Sequence, residues 1–344
     1  MKTRPQGSLV GLPSRIPHQG SVLIRTHPLR RGLHSSGRAA VHAGHAYATF
    51  WETRMKWLVS LVGAALLMVA LRDVFHTLWH PTRHGGLSRH VMAALWRLSQ
   101  RLPLRRRAAG LAGPLAMVTV VAMWAGTVVV GWALIYWPHL PDAFSFATGL
   151  KPAEHGGPVD SLYISLVTVA TLGLGDITPT EPWLRIVAPL EALVGFALLT
   201  ATVSWVLEIY PALTRRRTLA LRLSQLQRND PSPLQLDSPL GAAVLDDLAG
   251  DVARISVDFL QFAESYYFHE GEDHTSLAAR VRYAADLADR AGNAQHAEVR
   301  FAAALLITAL EDLSTILDQR FLHTGGTPRD IYEAYAEDHG RAQL

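Results

Sequence analysis

Apolar positions along the chain gather into three long runs. Residues 57–71 carry no charge, and the run then tapers through Arg72, Asp73 and His76 to Trp79. Residues 112–137 are 26 positions without a charged side chain, and residues 186–209 are interrupted only by Glu191 and Glu208. A helix rises about 1.5 Å per residue, so runs of this length cross a hydrocarbon core of about 30 Å. Between the second and third runs lies a short apolar segment, 161–170, followed by Thr171-Leu172-Gly173-Leu174-Gly175-Asp176 and then Pro179 and Pro182. This order predicts a spanning helix, a short helix, a non-helical hexapeptide and a second spanning helix, with one further span ahead of them.

Past residue 210 the pattern becomes amphipathic. Ser238-Pro239 reads as an N-cap with proline in the first turn, and Leu240, Val244, Leu248, Val252, Ile255, Phe259 and Phe262 recur at three- and four-residue steps. A second helix is expected over about 276–291, closed by Gly292, and a third over about 295–322, closed by Gly325. Such helices with short connections suggest a small antiparallel bundle. The expected fold class is therefore an all-α membrane protein: three transmembrane helices plus a re-entrant pore helix and filter, followed by a soluble helical bundle. Its expected divisions are a disordered basic segment (1–54), a first spanning helix (55–80), a basic loop (81–111), a pore domain (112–210), a linker (211–237) with a short helix leaving the membrane over 215–228 and a break at Asn229-Asp230-Pro231-Ser232-Pro233, the bundle (238–325) and a tail (326–344).

Charge adds sidedness. Residues 80–108 hold seven Arg and no acid, and Arg215, Arg216 and Arg217 follow the third run directly. Both read as cytoplasmic by the positive-inside rule. The segment 138–160 has one Lys against Asp142, Glu154 and Asp160, so it belongs outside, with Trp132, Tyr136 and Trp137 as an outer aromatic belt. The first fifty residues are basic, hold no acid before Glu52 and lack the composition to pack a core. Two explanations fit them: a true start at Met55, or a basic targeting peptide. Beyond residue 211 the balance inverts to 13 Arg against 20 acidic residues, which marks a separate module. The chain has no cysteine, so disulfides and thiolate metal sites are excluded.

The hexapeptide carries the chemistry. Backbone that alternates in handedness needs glycine at the left-handed positions, and Gly173 and Gly175 meet that need. Four such segments around one axis can stack rings of carbonyl oxygens that replace the hydration shell of a cation. Over residues 112–210 the chain resembles the potassium channel superfamily, specifically the ion channel domain of two helices around one pore loop. Thr168, Thr171, Gly173, Gly175, Asp176 and Pro179 match the family's Val-Thr-x-x-Thr-Val-Gly-Tyr-Gly-Asp-x-x-Pro pattern. Leu172 replaces the usual Val. Leu174 replaces the usual Tyr in a Gly-Leu-Gly-Asp variant that resembles the second pore loop of animal tandem-pore channels, and this change removes a hydroxyl that usually braces the filter.

The resemblance implies ion sites formed by Thr171, Leu172, Gly173, Leu174 and Gly175, with Asp176 at the outer mouth and Thr168 and Glu191 in support. One hexapeptide per chain implies a homotetramer in the lipid bilayer of the plasma membrane, with the C-terminus cytoplasmic. Potassium enters as the permeant ion; no cofactor, other metal, nucleic-acid partner or enzymatic activity is expected, and the acidic bundle is left open to an unknown partner. A weakly selective cation pore of the same fold remains an alternative, because of Leu172 and Leu174. An intramembrane aspartyl protease with Gly-Leu-Gly-Asp as its motif is a rival of another class. It is disfavoured because Pro179 and Pro182 break the chain after Asp176, because only Asp73 could supply the second carboxylate, and because the spans are too few.

Other residues read as follows. Glu191 reads as a hydrogen-bonding group behind the filter rather than an ion ligand. Gly195 is either a gating hinge or a point of close helix packing. Arg72 and Asp73 read as snorkelling and pairing groups, since a voltage sensor needs several arginines in one span. His269 and His274 are five apart, which fits a solvated loop better than a zinc helix. No Gly-x-Gly-x-x-Gly follows a strand, which disfavours gating by dinucleotides.

Overall fold

In the computed structural model, residues 35–79, 87–101 and 111–341 are described. Residues 1–34 of the basic N-terminal segment, and 80–86 and 102–110 of the basic loop, lie outside them. Among the described residues the fold is all-α apart from one small two-stranded sheet. Contacts divide the chain into two units, 1–54 and 55–344. In the first, residues 35–54 are helical, not disordered as expected. They are alanine-rich, and no proline stands between Pro28 and Pro81 to interrupt a helix.

The membrane part is built from α1 (Ser35–Trp79), α2 (Leu87–Arg101), α3 (Ala112–Tyr136), the short α4 (Pro158–Val169) and α5 (Pro182–Asn229). Three helices are long and apolar enough to cross a membrane, over Trp51–Thr77, Ala112–His139 and within Pro182–Asn229. Helices α1 and α3 meet at two glycines: a Cβ on Gly63 would lie 2.4 Å from the Gly131 carbonyl oxygen, and one on Gly131 would lie 3.0 Å from that of Gly63. Small residues let the backbones approach this closely. Farther along α1, buried Asp73 accepts hydrogen bonds from Trp124 Nε1 of α3 at 2.7 Å and from the Ser88 amide of α2 at 3.2 Å. One carboxylate thus ties three helices together.

Helix α5 corrects the expected boundary at residue 210. It runs 48 residues through Pro189 and Pro211, so the short helix expected over 215–228 is an unbroken continuation of the third span. Pro211 removes one backbone donor, but the Leu-, Ala- and Arg-rich sequence after it sustains the helix. The break falls at Asp230, whose φ of 39° is left-handed. A single turn, α6 (Pro233–Leu236), leads into α7 (Pro239–Gln261), α8 (Leu277–Gly292) and α9 (Ala297–Leu317), and the last winds into a wider turn over Asp318–Leu322. Ser238 caps α7 by accepting from the Gly241 amide at 3.1 Å.

The expected tail is instead partly a fourth packed helix, α10 (Pro328–Asp338). Thr327 and Asp330 cap it reciprocally, a start signal that was present in the sequence. Tyr332 of α10 is buried and donates to the Leu310 carbonyl at 2.6 Å.

The bundle also packs against the membrane helices. Arg216 of α5 is buried, forms an ion pair with Glu270, and donates to the carbonyls of Ser265 at 2.6 Å and Phe268 at 2.7 Å. Phe268 packs against Gly113 at the start of α3, where a Cβ would come within 2.6 Å of its ring. Trp96 of α2 donates to Asp338 at 3.0 Å, and Tyr266 donates to the same oxygen at 2.6 Å. His269 stacks on Trp96 with centroids 4.3 Å apart, and the His339 ring lies 5.1 Å from that of Trp96.

Burial pushes the pKa of His339 well below the ordinary histidine value, helped by the charges of Arg216 and His269, and burial also lowers that of His269. Both are therefore neutral in the folded protein where the unfolded chain would hold their protons. Stability from this cluster is full above an unfolded pKa of about 6.5 and is lost as pH falls below it. Melting of the purified chain is expected to move to lower temperature between about pH 7 and pH 5.5, with a weaker shift in His339→Gln; a pH-independent melting temperature would contradict the assignment.

Candidate functional site

Helix α4 is set by its ends. Pro158 occupies its first turn, and Asp160 accepts from the Gly157 amide at 3.0 Å while its other oxygen pairs with His155 Nδ1 at 3.0 Å. At the far end the Thr171 amide donates to the Thr168 carbonyl and the Leu172 amide to the Val167 carbonyl, both at 2.9 Å. The chain then leaves helical geometry. Thr171, Gly173 and Gly175 take φ of 56°, 56° and 77°, while Leu172 and Leu174 between them do not take positive values.

Alternation of hand is thus present, and it begins one residue before the first glycine. A β-branched residue in the left-handed region is a true outlier, costing on the order of 1–3 kcal/mol. A Cβ on Gly173 would meet nothing within 4 Å, and one on Gly175 only the Gly173 oxygen at 4.0 Å. Backbone angle, not space, is what demands glycine there.

From Gly173 to Gly175 the amides find no backbone acceptor among the described residues, and the carbonyls of Thr171, Leu172, Gly173 and Leu174 accept no backbone hydrogen bond. These residues are exposed in the single chain, so four consecutive carbonyl oxygens are open to partners outside its own backbone.

Several contacts hold this segment from outside. The Tyr163 hydroxyl of α4 donates to Asp176 at 2.6 Å, and the Ala147 amide donates to the Asp176 carbonyl at 2.7 Å. The chain after Asp176 forms β2 (Ile177–Pro179), antiparallel to β1 (Phe144–Phe146), with Phe144 opposite Pro179 and Phe146 opposite Ile177. The loop is thus braced at Asp176 by a hydroxyl from the short helix. Tyr163 stands in the segment read as merely apolar, and its spacing from Asp176 was the available signal.

Glu191 is fully buried and joins three helices. It accepts from the Tyr136 hydroxyl of α3 at 2.5 Å, and Ser165 Oγ of α4 lies 2.6 Å from its other oxygen. Ser165 Oγ is also 3.0 Å from the Val129 carbonyl, so its single proton has two acceptors. Thr168 is directed elsewhere: its hydroxyl donates to the Ile164 carbonyl at 2.8 Å, and its part in the loop is the carbonyl that receives Thr171. At Gly195 a Cβ would lie 2.1 Å from the Val169 carbonyl oxygen, so close passage of α5 over the end of α4 accounts for glycine.

The two carboxylates that a protease would need have separate partners, Asp176 with Tyr163 and Asp73 with Trp124 and Ser88. Among the described residues no group of three or more His, Asp or Glu is arranged to hold a metal ion. His274 of the suspect cluster pairs with Glu272 instead.

With this geometry described, comparison with known proteins adds the following. Residues 126–210 match the family model described as an ion channel. The chain is 26% identical over 162 residues to YdjJ, an uncharacterised membrane protein of Bacillus subtilis (strain 168), covering 46% of each chain. It is 44% identical over 55 residues to the two-pore potassium channel 5 of Arabidopsis thaliana, covering 15% of this chain and 14% of that one. With the protein LctB of Geobacillus stearothermophilus it shares 32% over 83 residues, 23% of this chain and 61% of the relative. The chain thus spans less than two thirds of each of these relatives. No solved structure matches it. The ion channel model thus falls on the part of the chain in which the non-helical loop after α4 is held between two apolar helices.

Proposed function

We propose that the chain forms a potassium-selective pore as a homotetramer, with residues 171–175 of each subunit lining one axis. The observation that carries this reading is the run of four carbonyls without backbone partners in a segment of alternating hand. In the tetramer the carbonyls of Thr171, Leu172, Gly173 and Leu174, with the Thr171 hydroxyl, take the place of water around a dehydrated ion. The C-terminal end of α4 directs its partial negative charge toward the central cavity. Asp176, held by Tyr163, sits at the outer mouth. Transport is passive, and conduction needs no chemical step.

Two further observations support assembly in a membrane. Ile186, Leu190, Leu193, Phe196, Leu199, Val203 and Leu207 are exposed along α5 in the single chain, a face that lipid or neighbouring subunits must cover. Only one hexapeptide occurs in the sequence, so four chains are needed for one filter. The arginines after residue 80 and at 215–217 support a bundle on the cytoplasmic side of the plasma membrane. The printed name of the Arabidopsis relative, a potassium channel, supports potassium as the ion. Leu172 and Leu174 favour a second reading, a cation pore of weak selectivity.

Liposomes holding the purified chain are expected to pass potassium in preference to sodium. Equal flux of both ions would select the weakly selective pore, and no flux under any condition would refute conduction. Gly173→Ala or Gly175→Ala is expected to abolish flux while the protein stays inserted and tetrameric, because the left-handed angle costs a residue with a Cβ about 1–2 kcal/mol in each of four subunits. Normal flux in either variant would remove the filter assignment.

Tyr163→Phe deletes a hydrogen bond to a carboxylate, of about 1.5–3 kcal/mol. Amide exchange over residues 172–180 is expected to quicken by roughly tenfold or more, with exchange in the bundle unchanged. Unaltered exchange there would mean that Tyr163 does not brace the loop.

A further inference from the structure

Helix α5 continues past the membrane part as a column against which the bundle packs, and its arginines are used unequally. Arg215 forms a two-bonded pair with Asp258, Arg216 pairs with Glu270, and Arg222 reaches both Asp247 and Asp251. Arg228 has no carboxylate partner among the described residues; its Nε makes only a long contact, 3.4 Å, to the Ser224 carbonyl. Across from it Arg280, in the first turn of α8, also lacks a carboxylate. Its Nη1 donates to Gln227 Oε1 at 2.7 Å, and its Nε is buried with no partner at all.

These two guanidinium groups line one cleft of about 390 Å³, together with Leu221, Ser224, Gln227 and His274. The region beyond residue 211 has seven more acids than arginines, 20 against 13, yet no carboxylate reaches either arginine. Exposed Glu272 touches only the rim, through His274 at 3.1 Å.

We propose that this cleft binds a small soluble anion bearing phosphate, a phosphomonoester or a polyphosphate, and that the bound anion stiffens the junction between α5 and the bundle. Guanidinium forks match phosphate oxygens in pairs, and Arg280 is already held in place by Gln227. His274 and the Ser224 side chain add polar groups on the same wall. The ligand would bridge Arg228 on the pore-lining helix to Arg280 on α8, adding a polar link to the Arg280–Gln227 hydrogen bond and the Arg290–Asp230 pair between the same elements. A lipid headgroup has the same chemistry but is out of reach: Ser224 lies fifteen residues of helix beyond Ile209, about 20 Å past the apolar span. Binding itself does not depend on the channel reading; the effect on conduction does.

The test titrates the purified full-length chain with inorganic pyrophosphate and with orthophosphate by calorimetry, then repeats it with Arg228→Gln and Arg280→Gln. Saturable binding is expected in the parent, and it should weaken about tenfold or more in each variant, at unchanged melting temperature and oligomeric state. Absence of binding, or equal binding in parent and variants, overturns the site. Vesicles containing phosphatidic acid form a second arm. If retention on them, and not pyrophosphate binding, depends on Arg228 and Arg280, the soluble-anion assignment falls. In the third arm pyrophosphate inside liposomes should change potassium flux in the parent by about twofold or more and leave the variants unaffected. Binding without any change in flux retains the site and overturns the regulation.

Discussion

A stretch of backbone in which every second residue is left-handed cannot hold itself. It forms neither helix nor strand, its amides have no regular acceptors, and each non-glycine left-handed residue adds strain. Thr171 to Gly175 is such a stretch, and the pore domain is organised to keep it in place. The first anchor is the end of α4, whose carbonyls at Val167 and Thr168 receive the amides of Leu172 and Thr171. The second is Asp176, fixed by a side chain from α4 and by an amide from the β1 side of the outer segment. Between the two anchors the carbonyls of residues 171–174 are left without backbone partners.

The scaffold behind those anchors depends on one buried acid. Glu191 takes hydrogen bonds from α3 and α4 while belonging to α5, so the two long helices and the short one cannot shift separately near the filter. A buried carboxylate that lost either donor would be left under-satisfied in an apolar setting, a cost of about 1–3 kcal/mol. Close passage at Gly195 over Val169 puts the same helix against the same short helix one step further down. Below that, α5 carries its course into the bundle, and buried Arg216 fastens it to Glu270 and to the turn that touches α2 and α3. Removing one member of such a pair costs about 3–5 kcal/mol, which makes the junction between helix and bundle a firm one.

Much of this was legible in the sequence, and the parts that were not share a cause. The spans, the short helix, the glycine-bearing loop and the first three bundle helices follow from local patterns of apolarity, caps and breakers. Glu191 was legible as a hydrogen-bonding acid because an ionisable residue in an apolar run has few other options. Its donors were not, since Tyr136 and Ser165 lie 55 and 26 positions away and only the fold unites them. Tyr163 and the β1–β2 pairing escaped for the same reason. Helix α10 was missed through its own signal, the Thr327 to Asp330 capping box, because a polar C-terminal stretch reads as a tail when its two buried tyrosines are not weighed. Pattern alone parts the helix at 215–228 from the third span, but a proline at 211 removes one hydrogen bond and a helix with strong formers beyond it continues.

The two leucines of the filter are better understood from the anchors than from the loop. Leu172 and Leu174 are exposed in the single chain, with nothing in their own subunit to pack against. A filter residue with a hydroxyl could fasten the loop through its own side chain. Leu174 cannot, and the fastening has moved to the two ends, to Asp176 on one side and to the close of α4 on the other. In the four-chain pore proposed above, rigidity of the carbonyl rings would depend on how firmly those ends are fixed and on how the leucines pack against neighbouring chains. Discrimination between ions would then be a property of the brace and the assembly more than of the hexapeptide, because backbone of this geometry is held from outside itself.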